Sequence, residues 1–202
     1  TSSFEDVVAG SHCMTPAYLQ SQLDQSLRNM DLDCVDVYYI HNPESQLGHV
    51  SDSEFYSRLK LAFERLEQNR KQGKLAHYGV ATWNGFRVPA ESRDHHSLVR
   101  MVELAREVGG NDHGFRFIQL PFNLAMSEAI TLGNETLHGQ RMTVVETATR
   151  LGVTVVASAS LLQGRIDPRA AIQFVRSAPG ITTALIGMSH VEHVEENLDF
   201  HE

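Results

Sequence analysis

The sequence predicts an α/β protein whose strands run parallel in repeated βα units. Three observations predict it. Segments of helical period alternate with short apolar runs along the chain, which is the pattern of βα units. The run 153–157 is apolar except for Thr154, as suits a strand covered on both faces. Polar residues gather where the runs end: His41 and Asn42, Thr82 and Asn84, Gln119 and Asn123, Ser158 and Ser160, Ser189. A doubly wound open sheet and a (β/α)₈ barrel share this pattern. Both bind ligands at the carboxyl ends of their strands.

The first helix is expected over 16–30. Thr15 caps it, Pro16 suits its first position, and Leu19, Leu23, Leu27 and Met30 repeat on one face. A strand over 34–40 ends at His41-Asn42-Pro43. The second helix, 53–72, carries Leu59, Phe63 and Leu66 on one stripe and stops at Gly73. A strand follows over 76–81. The third helix, 97–108, closes on Gly109-Gly110, and the third strand covers 115–120. A long loop then leads to a helix over 142–151, ended by Gly152, and to the strand 153–157. A helix over 168–177 stops before Pro179-Gly180. The fifth strand is 182–186, and the last helix, 191–200, takes Ser189 as its cap.

Composition narrows the function classes. The chain has 202 residues, 42% of them hydrophobic, enough for one domain over 1–202 and too apolar for a disordered chain. With 17 Lys+Arg against 25 Asp+Glu the net charge is −8, which disfavours nucleic acid as a partner. No apolar run approaches the ~18 residues of a membrane span. Cys13 and Cys34 make no disulfide framework, and no basic-then-apolar leader opens the sequence. The expectation is a cytoplasmic protein with no membrane partner.

Five segments carry a resemblance in a consistent order. Asp33-Cys34-Val35-Asp36-Val37-Tyr38-Tyr39-Ile40-His41 resembles the "DxxDLYxxH" strand of the aldo-keto reductases. Gly73-Lys74-Leu75 through Gly79-Val80-Ala81-Thr82 is similar to the family's "GKIRxxGVSN", and Gln119-Leu120-Pro121-Phe122-Asn123 to its "QxxYN". Gly152-Val153 through Ala159-Ser160-Leu161 resembles "GVxVxAxSPL", and Glu195-Glu196-Asn197-Leu198 resembles "EENL". The resemblance implies a partial (β/α)₈ TIM barrel with about five strands, the carboxyl-terminal portion of a family barrel.

It also implies a function and a site. The family reduces an aldehyde or ketone to an alcohol with a nicotinamide dinucleotide, here NADP with NAD left open. The implied catalytic residue is His41, which orients the carbonyl. The implied cofactor contacts are Thr82, Gln119, Ser158, Leu161, Gly164, Gly187, Ser189, His193, Glu196 and Asn197. Ser158 stands where the family often stacks an aromatic ring on the nicotinamide, which leaves stacking to Trp83 or Phe122, or leaves it absent. The family's catalytic aspartate, tyrosine and lysine lie on strands that the resemblance does not cover. Tyr18, Tyr38, Tyr39 and Tyr78 lack the family context of the acid. The chain alone is therefore expected to be inactive. Two alternatives are a non-catalytic nucleotide-binding or regulatory module, and a half-barrel completed by a second copy or another chain through its open sheet edges.

No metal site is expected. His95-His96 beside Asp94 reads as a solvated loop, because no second cluster has ligand spacing. Cys13 beside His12 shows no sign of activation. No GxGxxG follows a strand.

Overall fold

The computed structural model describes residues 7–198. Strands β1 (Val35–His41), β2 (Leu75–Ala81), β3 (Phe115–Pro121), β6 (Thr154–Ser158) and β7 (Ile181–Ala184) form one parallel sheet in the order β1-β2-β3-β6-β7. The order never reverses, so there is no switch point of the doubly wound kind. A sheet that only ever adds the next strand on the same side is barrel wall.

Helices α1 (Pro16–Met30), α2 (Asp52–Lys71), α3 (Leu98–Gly109), α5 (Val144–Leu151) and α6 (Pro168–Ser177) connect and cover the strands. The Thr15 hydroxyl accepts from the Tyr18 N–H, so the first helix begins as its sequence requires. Leu19, Leu23 and Leu27 are buried. Met30, expected on the same face, is half exposed, because the helix ends there against Asp31 in the left-handed region. In α2, Phe55, Leu59, Phe63 and Leu66 are fully buried. Phe63 lies 5.1 Å from the Tyr78 ring and 5.2 Å from the Phe115 ring, which locks α2 onto β2 and β3.

Three expectations are corrected. The long loop before α5 holds α4 (Glu128–Thr131) and an antiparallel hairpin, β4 (Gly133–Leu137) with β5 (Gln140–Thr143). His138 and Gly139, at φ +51° and +76°, make its two-residue turn, and a pair of left-handed residues matches the twist of the strands. Met142 therefore lies in β5, and the helix starts at Val144 behind a capping box of Thr143 and Glu146. Finally, α7 (Val191–Leu198) is preceded directly by His190, one place after the expected cap Ser189. Residues 199 and 200 of the expected helix lie outside the described residues.

The register aligns side chains in rows across the sheet. Val37 pairs with His77. Tyr39, Gly79, Phe117 and Thr154 form the next row, and His41, Ala81, Gln119, Val156 and Thr183 the next. Gly79 is required in its row: a Cβ there would collide with the Phe117 carbonyl, where the β2–β3 register shifts.

Candidate active site at the carboxyl ends of the strands

The row that begins at His41 is the last full one before the loops. It sets His41, Gln119 and, one residue beyond Ala81, Thr82 along one rim, and Ser158 joins them through its pairing with Pro121. Four of the sequence-predicted residues thus meet at the ends of four adjacent strands.

His41 is exposed, and its backbone is held from behind. The His12 ring donates from Nε2 to the His41 carbonyl at 2.9 Å, while its Nδ1 accepts from Gln46 Nε2 at 3.0 Å. Gln46 Oε1 accepts from Arg58 at 2.9 Å, and Arg58 pairs with Glu54 at 2.7 Å. The amide of Gln46 faces a ring nitrogen at one end and a guanidinium at the other, which fixes its orientation. Burial holds His12 below the usual histidine range, against the raising effects of its bond to His41 and the Glu44 charge. Sequence reasoning missed this chain because its members lie 29 and 34 residues apart.

Thr82 is buried, its N–H donates to the Gln119 carbonyl at 2.9 Å, and its hydroxyl has no protein partner. The hydroxyl of Ser160 is also buried and unpartnered. Buried hydroxyls without partners are costly, and two of them on this rim fit a ligand that supplies donors and acceptors. Asn123 has no such freedom. Its side chain donates to the Ala159 carbonyl and accepts from the Ala125 N–H, both at 2.9 Å, which ties the loop after β3 to the loop after β6.

The loop after β6 carries Leu161 and Gly164 among left-handed neighbours: Ala159, Leu162, Gln163 and Gly164 lie at φ +51°, +47°, +58° and +77°. Three of these four have a Cβ, and such strain gathers where a loop is shaped to clamp a ligand.

At the far end, Gly187, Ser189, His193 and Glu196 are exposed, and Asn197 is half-buried. They occupy the segment after β7 and the helix α7, which buries none of its residues. The His190 and His193 rings lie 5.2 Å apart, edge to face. The structure does not bring this group into contact with the rim residues.

The loop after β2 is the part that sequence reasoning misread. His96, expected in a solvated loop, is fully buried, stacked on Phe55 at 5.2 Å, and faces Glu44 at 3.4 Å. Glu44 Oε1 accepts from the N–H groups of Trp83 at 2.7 Å and Asn84 at 3.1 Å. Burial pushes the Glu44 carboxyl up, but the bond and charge of His96 and the Trp83 amide outweigh it, and the net shift is downward. Phe122 is fully buried and stacked on Phe174 at 5.2 Å, so it presents no face to a ligand. Trp83 remains, 43% exposed.

Tyr38, Tyr39, Tyr56 and Tyr78 offer no ready acid. Burial and then the Glu67 charge push Tyr78 far above the ordinary phenol value, and burial pushes Tyr38 up to about 12. Tyr39 and Tyr56 are also raised by burial.

A parallel βα wall with its polar rim at the strand ends defines the class of barrel proteins that bind ligands at that face. A model of the aldo/keto reductase family matches residues 6–169, and the chain belongs to that family. Solved structures agree on the fold. The aldo-keto reductase AKR11C1 from Bacillus halodurans, in its holo form, superposes with a TM-score of 0.61 at 15% identity, over 91% of this chain and 61% of its own. The aldo/keto reductase from Klebsiella pneumoniae, solved with NADP and acetate, gives 0.60 at 17%, over 91% and 59%. The thermostable aldo-keto reductase Tm1743, solved with the inhibitor epalrestat, gives 0.61 at 18%, over 92% and 61%. The chain thus spans about three-fifths of the length of these structures. No curated protein matches the sequence. No helix among the described residues is long and apolar enough to cross a membrane.

Proposed function

We propose that this chain is the cofactor-side wall of an NADP(H)-dependent carbonyl reductase that converts an aldehyde or ketone to an alcohol. The observation that carries the reading is the rim itself: His41, Thr82, Gln119 and Ser158 at adjacent strand ends, with the Thr82 hydroxyl buried and unpartnered. When bound, the nicotinamide supplies the hydride. Gln119 and Thr82 hold the carboxamide, because an amide and a hydroxyl each offer a donor and an acceptor. Ser158 faces the nicotinamide ring, and Leu161 and Gly164 line the path of the pyrophosphate. Gly187, Ser189, His193, Glu196 and Asn197 take the adenosine end. His41 orients the substrate carbonyl from a backbone fixed by His12.

This reading puts the proton donor outside Tyr38, Tyr39, Tyr56 and Tyr78, all of them raised by burial, since an effective acid titrates near the working pH. The chain alone therefore binds nucleotide and does not turn over. A second reading rests on the sheet edges. A groove of about 450 Å³ runs along β1, lined by Val35, Val37, Tyr39 and His41 with Tyr18 and Leu19. Further strands docking there, from a second copy or another chain, would complete the substrate chamber. The test is calorimetric titration with NADPH, paired with an aldehyde-reduction assay before and after strands that complete the barrel are supplied. Binding without turnover in the chain alone supports the reading; reduction by the chain alone overturns it. In the completed barrel, His41→Ala should lower turnover about 10²-fold or more with nucleotide affinity unchanged.

A further inference from the structure

We infer that Gln46 is a positioning residue for His41: fixed between Arg58 and His12, its amide admits the His12 ring in one tautomer only, the one that donates to the His41 carbonyl. For His41 as the orienting residue this rests on the function proposed above, while the lock itself rests on geometry within this chain.

The end of β1 needs a hold from outside the sheet. β1 is the first strand in the sheet order, so among the described residues it has one neighbour, β2. The Asn42 N–H reaches that neighbour at the Ala81 carbonyl, 2.6 Å away. A trans peptide sets its N–H and C=O in opposite directions, so the His41 carbonyl turns toward the open edge. There it meets Nε2 of His12 at 2.9 Å. Both ends of the peptide that joins His41 to Asn42 are thus held. Asn42 bends the chain at once, at φ +45°, a conformation that Asn tolerates better than most side chains. A slack peptide at this bend would let the His41 Cβ swing with it, so the hold bears on where the imidazole points.

The hydrogen bonds behind that hold run in one direction only. Arg58 keeps its proton and only donates, so Gln46 must turn its oxygen toward the guanidinium, at 2.9 Å. The Gln46 NH₂ is left for His12 Nδ1, at 3.0 Å, which must carry the lone pair. The proton of the neutral ring therefore sits on Nε2, against the His41 carbonyl. Gln46 is fully buried, so water offers its amide no other arrangement. A second proton on His12 breaks the order. Nδ1–H would meet the NH₂ donor to donor, and turning the amide over would set the NH₂ against the guanidinium. Either way a buried donor loses its acceptor. The charged groups nearby do not relieve this. Glu54 is paired with Arg58 at 2.7 Å. Glu44 favours the charged ring, but its oxygens are taken by the Trp83 and Asn84 amides and by His96. The His41 charge opposes it, and burial opposes it most.

Ring-nitrogen chemical shifts report tautomer and charge, and His12→Gln identifies the His12 signals among the eleven histidines. In the wild-type chain His12 should carry its proton on Nε2 and stay neutral to below pH 6.5. The His41 carbonyl carbon should show its hydrogen bond above the His12 midpoint and lose it below. Gln46→Glu should raise that midpoint by about one pH unit or more and invert the pattern. The doubly protonated ring then reaches both the new carboxylate and the His41 carbonyl, whereas the neutral ring gives its one proton to the carboxylate and lets the carbonyl go. A merely structural role would not invert. The wild-type tautomer needs no substitution, so the lock is tested even where the variant does not fold. A wild-type proton on Nδ1, or equal midpoints in wild type and Gln46→Glu, overturns the lock. A His41 carbonyl signal that stays constant through the His12 titration overturns the positioning role. In the barrel completed by added strands, kcat/KM should fall below the midpoint in the wild type and above it in Gln46→Glu. No turnover from that completed wild-type barrel at any pH overturns the proposed function, while a lock seen in the spectra stands.

Discussion

The His12 ring donates to the carbonyl of His41 at 2.9 Å, so one imidazole fixes the backbone that carries the other. Burial holds His12 below the usual histidine range. His113 is held down to about 4, by burial first and then by the Arg116 guanidinium, which donates to its Nδ1 at 2.8 Å. Both groups bind their proton more readily in the unfolded chain. Their contribution to stability is whole above pH 6.5 and is lost as the pH falls, for His113 through about 4. Thermal unfolding followed across pH 8 to 4 should show Tm falling below 6.5. His113→Gln should flatten part of that fall, and an unchanged slope would remove His113 from the account.

Glu135 works in the opposite sense. It is fully enclosed in β4 and accepts from the Leu98 N–H at 2.8 Å and the Ser97 hydroxyl at 3.3 Å, at the start of α3. Burial raises it to about 7, outweighing those hydrogen bonds. An acid with a raised folded value binds its proton better in the native state. Its stabilising contribution is whole below pH 4.5 and is lost as the pH climbs to 7. Glu135→Gln should therefore match the wild type near pH 4.5 and gain on it above, by up to about 3 kcal/mol near pH 8. Denaturant unfolding at the two pH values reads this directly, and a constant difference between variant and parent would contradict it.

Thr82 separates binding from stability. Its hydroxyl is buried with no protein partner, so the folded chain carries the cost of desolvating it. Thr82→Val removes the hydroxyl at nearly constant volume. The variant should be more stable by about 1 kcal/mol and should bind NADPH about tenfold more weakly. Paired unfolding and titration measurements test both halves. A variant that is destabilised and binds normally would show that the hydroxyl serves the fold.

The parts of the fold and site that could be read from the sequence share one property, a local pattern. Leu59, Phe63 and Leu66 keep helical period, and the helix they predict is α2. His41, Thr82 and Gln119 fall at the ends of apolar runs, and the register places them on one rim. What stayed hidden depends on partners distant in sequence. Glu44 meets Trp83 at a separation of 39 residues and His96 at 52, and no spacing rule joins them. His96 reads as part of a polar loop because its burial comes from Phe55 and Phe86, which no local pattern joins to it. The β4–β5 hairpin was missed because its turn is His138-Gly139, where Asn-Gly or Asp-Gly would have announced it. The segment His41-Asn42-Pro43-Glu44 holds one signal, an acid three residues past a strand end, which is a favoured place for functional groups.

In the proposed reading, the adenosine end sets the choice between NADP and NAD. The segment from Gly187 to His193 offers Ser189, His190 and His193 and contains no lysine or arginine. A 2′-phosphate gains most from a bidentate guanidinium, because its charge and its paired oxygens match that fork. Hydroxyl and imidazole donors on an exposed helix start leave most of the phosphate charge to water. NADPH should therefore be preferred over NADH by no more than about tenfold, or ~1.4 kcal/mol. Ser189→Arg supplies the missing fork at an exposed position where the added side chain displaces no core contact. It should raise the preference at least another tenfold, and the gain should shrink with added salt, as screened charge pairs do. Titrations of both nucleotides at two ionic strengths give the two ratios. A wild-type preference above a hundredfold would mean that a cation from elsewhere in the fold already grips the phosphate, and Ser189→Arg would then add nothing.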